Sequence, residues 1–302
     1  MVDITHKSNS LRIAIAGSRV NLSNPAAMKA VENGTVPKGN IFEMSKVAGL
    51  FAVKRTSDMI PDCHPLPVEY TEVRHRVSDM AIEIEVEVKT IYKTGVEVEA
   101  MHAASVVALT IYDMLKPLDS GVTIGDIRLL KKRGGKGDFD VAKYSDVKAM
   151  VVVCSDSISR GEAEDRSGKA LIERLKTHHI ETVDYQIIPD DTDEIRKVAS
   201  DGIQKGTGLI LFSGGTGVSP RDNTPESLLP LIEKRLPGVE ETIRSYGQQR
   251  TPFAMASRTV AGIAGQSVVL ALPGSVKGAT ESMDAVFPHL LHLFHVLRGE
   301  GH

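Results

Sequence analysis

From Ile82 to Lys89 the chain reads IEIEVEVK, a strict alternation of apolar and charged residues. Side chains switch faces at every step along a strand, so this pattern predicts an antiparallel strand with one buried and one wet face. The preceding VEYTEVRHRV alternates less regularly and offers a pairing partner. After the Thr94-Gly95 turn, VEVEAMHAASVVALTIYDMLK loses the alternation; its length and alanine content predict a helix that stops before Pro117. Strands followed by a long helix predict an α+β first domain, an antiparallel sheet with helices.

Further along the rhythm changes. The stretch KKRGGKGDFDVAKYSDVK, Lys131 to Lys148, is glycine-rich and charged. It sets the domain boundary near Ser145, giving domains 1–145 and 146–302, as suits a 302-residue chain. Beyond it AMVVVC, YQII, GLILF and SVVLAL are short, continuous and rich in β-branched residues, the signature of buried strands. Between them lie GKALIERLKTHH, DEIRKVASDGI and the long segment from Pro225 to Thr251. This alternation predicts an α/β second domain with a doubly wound, mostly parallel sheet.

Charges nearly cancel, 36 Lys+Arg against 39 Asp+Glu, which argues against nucleic acid as a partner. Cys63 and Cys154 are far apart and belong to no metal-spacing cluster, as expected in a reducing, cytoplasmic compartment. The opening MVDITHKSNS lacks the apolar core of a signal peptide. No apolar run is expected to approach the ~18 residues of a membrane span.

In an open parallel sheet, ligands bind at the carboxyl edge of the strands. Four loops should meet there: Ser155 and Asp156 after VVVC, Asp190 and Asp191 after QIIP, SGGTG after LILF, and Pro273, Gly274 and Ser275 after VVLAL. Gly214, Gly215 and Gly217 can turn several N–H groups toward one point, and Ser213, Thr216 and Ser219 add hydroxyls, forming a cradle for phosphate. The pattern is not a P-loop. Thr224 can cap a helix opening with Pro225 and Glu226, which fixes Asp222 just outside. An aspartate beside a phosphate needs a cation between them, so Asp190 and Asp222 suggest Mg²⁺ shared with a nucleotide's phosphates. Taken alone, the glycines read as a tight turn and the aspartates as solvated caps. Convergence with a second Pro-Gly turn on one rim favours the phosphate site.

The stretch SGGTGVSPRDNTPES, with IIPDD upstream and LPGS downstream, resembles the molybdopterin-binding domain of molybdopterin adenylyltransferases and molybdate-inserting enzymes, through most of residues 147–302. The resemblance implies that the SGGTG turn holds the terminal phosphate of the pterin dithiolene. It further implies that this phosphate attacks the α-phosphorus of Mg-ATP with release of pyrophosphate, and that Asp190 and Asp222 serve catalysis. Ser213 stands where threonine is common and keeps the hydroxyl. Val276 stands where proline is usual, which leaves that loop less rigid.

In the first half, Lys38, Lys54, Arg55 and His64 surround a Pro-rich loop, and KKRGGKGDF adds Lys131, Lys132, Arg133 and Lys136, groups able to clamp a triphosphate. Asp113 and Lys116 share a helix face; in isolation they read as a surface ion pair. The segments MVDIT, AVKRT, CHPLP, KTGVEVEA, AASVVALTIYDMLK and RLLKKRGGKGDF resemble, in that order, cyclic pyranopterin monophosphate synthases. That resemblance implies conversion of a GTP-derived cyclic nucleotide triphosphate into a tetracyclic pterin bearing a cyclic phosphate, with loss of pyrophosphate. The family's active-site residues fall on Lys38, His64, Glu97, Glu99, Asp113 and Lys116, with Cys63 beside substrate. Lys116, Asp113 and Lys38 suit acid–base work; Lys54, Arg55, Lys131 and Lys136 suit the departing pyrophosphate. Glu97 and Glu99 are expected to orient substrate or neighbouring cations, with a purely structural Glu99 as the alternative.

Together the resemblances imply two steps of molybdenum cofactor biosynthesis in one chain. They imply pterin and nucleotide substrates, Mg²⁺ with ATP, no tightly bound organic cofactor, no membrane partner, and a hexameric or trimer-based homo-oligomer with transient contacts to other proteins of the route. A carrier or scaffold role, or molybdate insertion, are the alternatives for the second half. The two steps are not consecutive, because sulfur must enter the pterin between them.

Overall fold

The structure, a computed structural model, describes residues 1–299, and every side chain among them except that of Lys136. It divides into two compact units, Met1–Asp138 and a second from Phe139 onward. The expected boundary near Ser145 lies a few residues further on. Phe139 stacks on Tyr144, with ring centroids 5.4 Å apart, and both pack into the core of the second unit.

The first unit runs β1 (Ser10–Asn21), α1 (Pro25–Glu32), α2 (Ile41–Lys54), α3 (Thr56–Met59), β2 (Tyr70–Ser78), β3 (Ala81–Tyr92), α4 (Glu97–Leu115) and β4 (Thr123–Arg133). Its sheet has the order β2-β3-β1-β4 and every pairing is antiparallel. The alternating stretch is β3. Ile82, Ile84, Val86 and Val88 are buried, while Glu83, Glu85 and Glu87 face the other side. There Arg74 lies 2.6 Å from Glu85 and 3.0 Å from Glu87, and Arg76 pairs with Glu83.

The apolar face is covered by α4, whose Ala100, Ala103, Ala104, Val107 and Ala108 are fully buried. Contrary to the sequence expectation, α4 is long and apolar enough to cross a membrane by length and composition. Half of that stretch is buried in the core, which accounts for its apolarity. Helix α2 packs across it: a Cβ on Gly49 would lie 2.6 Å from Val107 Cγ2.

The second unit contains β5 (Lys148–Cys154), α5 (Asp156–Ser159), α6 (Ser167–Thr177), β6 (Glu181–Ile188), α7 (Thr192–Gln204), β7 (Leu209–Ser213), α8 (Thr224–Leu228), β8 (Lys234–Arg235), α9 (Pro237–Gln248), β9 (Val260–Ala264), β10 (Ser267–Leu272), α10 (Val276–Val286) and α11 (His292–Leu297). Its sheet order is β6-β5-β7-β10-β9-β8. The first four strands are parallel; β9 and β8 close one edge antiparallel. The four apolar runs are those parallel strands. Val151, Leu209, Leu211, Val268 and Leu270 join one core, and Val152, Ile210, Phe212 and Val269 join another on the opposite face. Burial on both faces is why the runs of β5, β7 and β10 are continuous; YQII, expected as a buried strand, is instead the edge strand β6, with Tyr185 and Ile187 exposed because nothing pairs beyond it. The segment from Pro225 to Thr251 is not one helix: Pro230 and Pro237 lack the N–H that a continuing helix needs, and the chain divides there into α8, a 3₁₀ turn, β8 and α9. Because β6 and β7 flank β5 on opposite sides, connections diverge and a crevice opens at the carboxyl edge.

Gly49→Ala should force α2 off Val107 and destabilise the first unit by about 1–3 kcal/mol. Calorimetry should show a lowered first-unit transition; an unchanged one would mean that α2 shifts freely.

Candidate functional sites

In the second unit the crevice is a cavity of about 420 Å³. Ser155, Ser213, Gly214, Gly215, Thr216, Gly217, Asp222, Pro273 and Gly274, all singled out in the sequence, line it. Gly214 and Gly215 adopt φ of 112° and 61°. A Cβ on Gly214 would lie 2.1 Å from the Cys154 carbonyl oxygen, so only glycine lets β5 and this turn approach. The Gly214 N–H donates to Leu272 O at 3.0 Å. Among the described residues, the N–H groups of Gly215, Thr216 and Gly217 donate to no protein acceptor, leaving three donors at the crevice.

The hydroxyls divide. Ser213 donates to Pro273 O at 3.3 Å, stitching the two turns together. Ser219 Oγ accepts from Arg221 N, Ser275 Oγ caps α10 by accepting from Gly278 N, and Ser155 Oγ caps α5. Their first tasks are structural.

Asp156 and Asp190 hold each other's loops. The Asp190 N–H donates to Asp156 Oδ1 at 3.1 Å and the Asp156 N–H to Asp190 Oδ2 at 3.2 Å. The other oxygen, Asp190 Oδ1, is buried with no hydrogen-bond partner, as is Thr224 Oγ1. A Cβ on Gly215 would meet both, at 3.0 and 2.3 Å. Burial, followed by the charges of Asp156 and Asp222, pushes the Asp190 carboxyl above its ordinary range. Asp222 Oδ2 accepts the Ser219 N–H at 2.7 Å. An orphaned buried carboxylate oxygen among other carboxylates fits a cation. Among the described residues no group of three His, Cys, Asp or Glu is arranged to hold a metal.

Sequence reading missed Arg258. Its N–H donates to Thr216 O at 2.9 Å, and its guanidinium donates to Gly217 O at 2.6 Å, to Asp222 O and to the Glu226 carboxylate. Phe253, Ala256 and Ser257, on the same approach, complete the cavity wall. Nothing local marks these residues as site residues; they reach the turn only through the fold.

In the first unit the candidates separate into two groups. Lys38 Nζ lies 2.8 Å from Asp113 Oδ2 and donates to Asp113 O, also at 2.8 Å; Lys116 Nζ lies 2.8 Å from Asp113 Oδ1. First Lys116 and then Lys38 hold the Asp113 carboxyl down at about 2, and Asp113 raises the Lys116 ammonium. Lys116 is thus held in its charged form in this arrangement, a cation and hydrogen-bond donor.

The second group lies at the other end of α4. Cys63 Sγ donates to Glu99 Oε1 at 3.1 Å; burial, then Glu99, pushes the thiol up to about 12, which favours the neutral thiol. Burial also raises the Glu99 carboxyl. His64 Nε2 donates to Val2 O at 2.8 Å, and the Met1 ammonium pairs with Asp62 at 2.7 Å, fixing the MVDIT segment there. Lys132 lies 3.8 Å from Glu97. Lys54 and Lys131 are exposed, Arg55 lies 5.8 Å from the Phe51 ring centroid, and the Lys136 side chain is outside the described residues. Glu99 precedes Asp113 by fourteen residues of α4. That separation is about 21 Å along the helix axis.

The depressed Asp113 carboxyl implies a pH dependence. Its ion pairs favour the fold above the ordinary Asp value of about 3.9, and that contribution is lost as pH falls through about 2. Carboxyl-carbon NMR should find this low midpoint and see it rise in Lys116→Ala. An unmoved midpoint would show that the pair does not form in solution.

Residues 1–135 match the model of the MoaC family, and residues 150–292 match the family described as "Probable molybdopterin binding domain". The molybdenum cofactor biosynthesis bifunctional protein of Chlorobaculum tepidum is 39% identical over 302 residues, covering 100% of this chain and 96% of that protein. Its counterpart in Synechococcus elongatus is 35% identical, covering 100% and 98%. The cyclic pyranopterin monophosphate synthase of Thermomicrobium roseum is 46% identical over 138 residues, 45% of this chain and 82% of its own. A solved structure of the molybdopterin biosynthesis enzyme MoaB from Thermus thermophilus is 40% identical, covers 51% of this chain and 97% of its own, and has a TM-score of 0.48. With relatives matched from end to end, the chain belongs to the family of bifunctional molybdenum cofactor biosynthesis proteins, a MoaC-family unit followed by a molybdopterin-binding domain.

Proposed function

We propose that the chain catalyses two separate steps of molybdenum cofactor synthesis in the cytoplasm. The first unit converts the GTP-derived cyclic nucleotide triphosphate into cyclic pyranopterin monophosphate and pyrophosphate. The second adenylylates molybdopterin with Mg-ATP. The order β-α-β-β-α-β and the sheet order β2-β3-β1-β4 support a ferredoxin-like class for the first unit.

For the second unit, one observation carries the reading: three N–H donors of the SGGTG turn have no protein acceptor, and Gly215 of that turn packs against the buried Asp190 carboxylate oxygen that has no partner. The donors suit the pterin's terminal phosphate. Asp190 and Asp222 would hold the Mg²⁺ that arrives with ATP, which supplies positive charge to the phosphates. Ser213 and Arg258 keep the turn rigid, so the attacking phosphate is positioned before ATP enters.

For the first unit, Lys116 gives a proton during ring closure and Lys38 keeps Asp113 ionised beside it. His64, Glu97 and Glu99 stand at the far end of α4, so one chain does not bring both groups to one substrate. We therefore assign the complete site to two copies of the chain in a homo-oligomer, which the family resemblance expects to be hexameric or trimer-based.

Lys116→Ala should abolish pterin formation and leave adenylylation intact. Lys116→Ala and His64→Ala, each inactive, should regain roughly a quarter of wild-type activity when co-expressed, because one mixed site in two is whole. Absence of recovery in demonstrably mixed oligomers refutes the shared site. For the second unit, molybdopterin and Mg-ATP under anoxic conditions should yield adenylylated molybdopterin with stoichiometric pyrophosphate by mass spectrometry, and Asp222→Ala should not. Pterin binding without adenylate would reduce this unit to a carrier.

A further inference from the structure

Arg221 stands immediately before Asp222, in the loop leaving the glycine turn. Its guanidinium grips Asp156 across two loops, Nε 3.0 Å from Oδ2 and Nη2 2.9 Å from Oδ1. Asp156 is the residue locked to Asp190 by reciprocal amide bonds, so this pair adjoins the orphaned Asp190 oxygen. Among the described residues, Arg221 is the one cation in an ion pair with any of Asp156, Asp190 and Asp222. Arg258, the other arginine at this turn, is committed to backbone carbonyls and Glu226. The Arg221 side chain is 63% exposed and Asp156 26%, so the grip is at the surface and opens readily.

We propose that Arg221 binds the β- and γ-phosphates of the nucleotide, and that Asp156 holds it in reserve in the place of a phosphate until nucleotide arrives. This deepens the nucleotidyl-transfer reading and rests on it. A guanidinium fork that fits two carboxylate oxygens also fits two phosphate oxygens, so exchange needs little rearrangement. A triphosphate carries more negative charge than one carboxylate and wins the exchange. Once Arg221 leaves, Asp156 stands beside Asp190 without its counter-charge, and the rim becomes a better home for the cation that accompanies the phosphates. Nucleotide and cation binding are thereby coupled.

The same grip serves the reaction. A pterin phosphate oxygen forms a bond to the α-phosphorus, and the bond from that phosphorus to the bridging oxygen breaks. Its electron pair departs with pyrophosphate, where Arg221 meets the growing charge.

The test is calorimetric titration of the full chain with inorganic pyrophosphate and with a non-hydrolysable ATP analogue, each with and without Mg²⁺. Arg221→Ala should weaken analogue binding by about tenfold or more. Arg221→Lys should restore part of it, because a point charge lacks the fork. Asp156→Asn, which releases Arg221, should tighten magnesium-free pyrophosphate binding several-fold, by roughly the strength of a surface ion pair, and shrink the gain that Mg²⁺ brings. Equal binding by wild type and Arg221→Ala overturns the proposal while adenylyl transfer stands. Failure of the wild type to bind the analogue overturns the adenylyl-transfer reading itself. Weakened magnesium-free binding in Asp156→Asn overturns the reserve role. If Arg221→Ala loses its near-ultraviolet circular dichroism, Arg221→Lys alone decides: full wild-type affinity there also overturns the fork.

Discussion

A β-sheet satisfies its backbone by pairing and its apolar side chains only by being covered, and the number of covered faces separates the two units. In the first, α4 and α2 cover one face, and β3 answers with isoleucine and valine inward and glutamate outward. In the second, helices cover both faces, so β5, β7 and β10 are apolar on every side. Full coverage leaves polar chemistry nowhere to go except the strand ends. The carboxyl edge between β5 and β7 then gathers the turns that follow β5, β7 and β10 around one crevice.

The two sites treat carboxylates in opposite ways. Asp113 is exposed and held between two ammonium groups, which keeps it ionised and keeps Lys116 charged. Asp190 is drawn inward, has one oxygen without a partner and faces two further carboxylates, so burial and repulsion both oppose its charge. The first arrangement is complete in charge without ligand. The second keeps a buried carboxylate oxygen without a partner, with Arg221 on Asp156 as the nearby positive charge.

Much of this was legible in local pattern. The period of two in IEIEVEVK fixes a strand and its inward face, because alternation has no other economical use in a folded chain. The SGGTG turn was legible because positive φ at Gly214 and Gly215 demands glycine. Features made by distant segments were not legible. Arg258 is 41 residues beyond Gly217, whose carbonyl it holds. Strand β9, VAGIA, is too rich in alanine and glycine to signal a strand, yet it is paired along its whole length with β10. Phe139 belongs with the second unit because of the ring it stacks upon, a fact that glycine-rich surroundings conceal.

The sequence by itself determined which residues carry charge, where backbone must turn, and the class of each sheet, since these depend on side-chain chemistry and short-range sterics. Only the tertiary structure decided which charges meet. It placed Asp113 with Lys38 and Lys116 but set Glu99 and Cys63 at the far end of the same helix. It also turned Arg221 onto Asp156 while leaving one oxygen of Asp190 bare. Such pairings depend on helix length, loop reach and burial, quantities that exist only once the chain has packed.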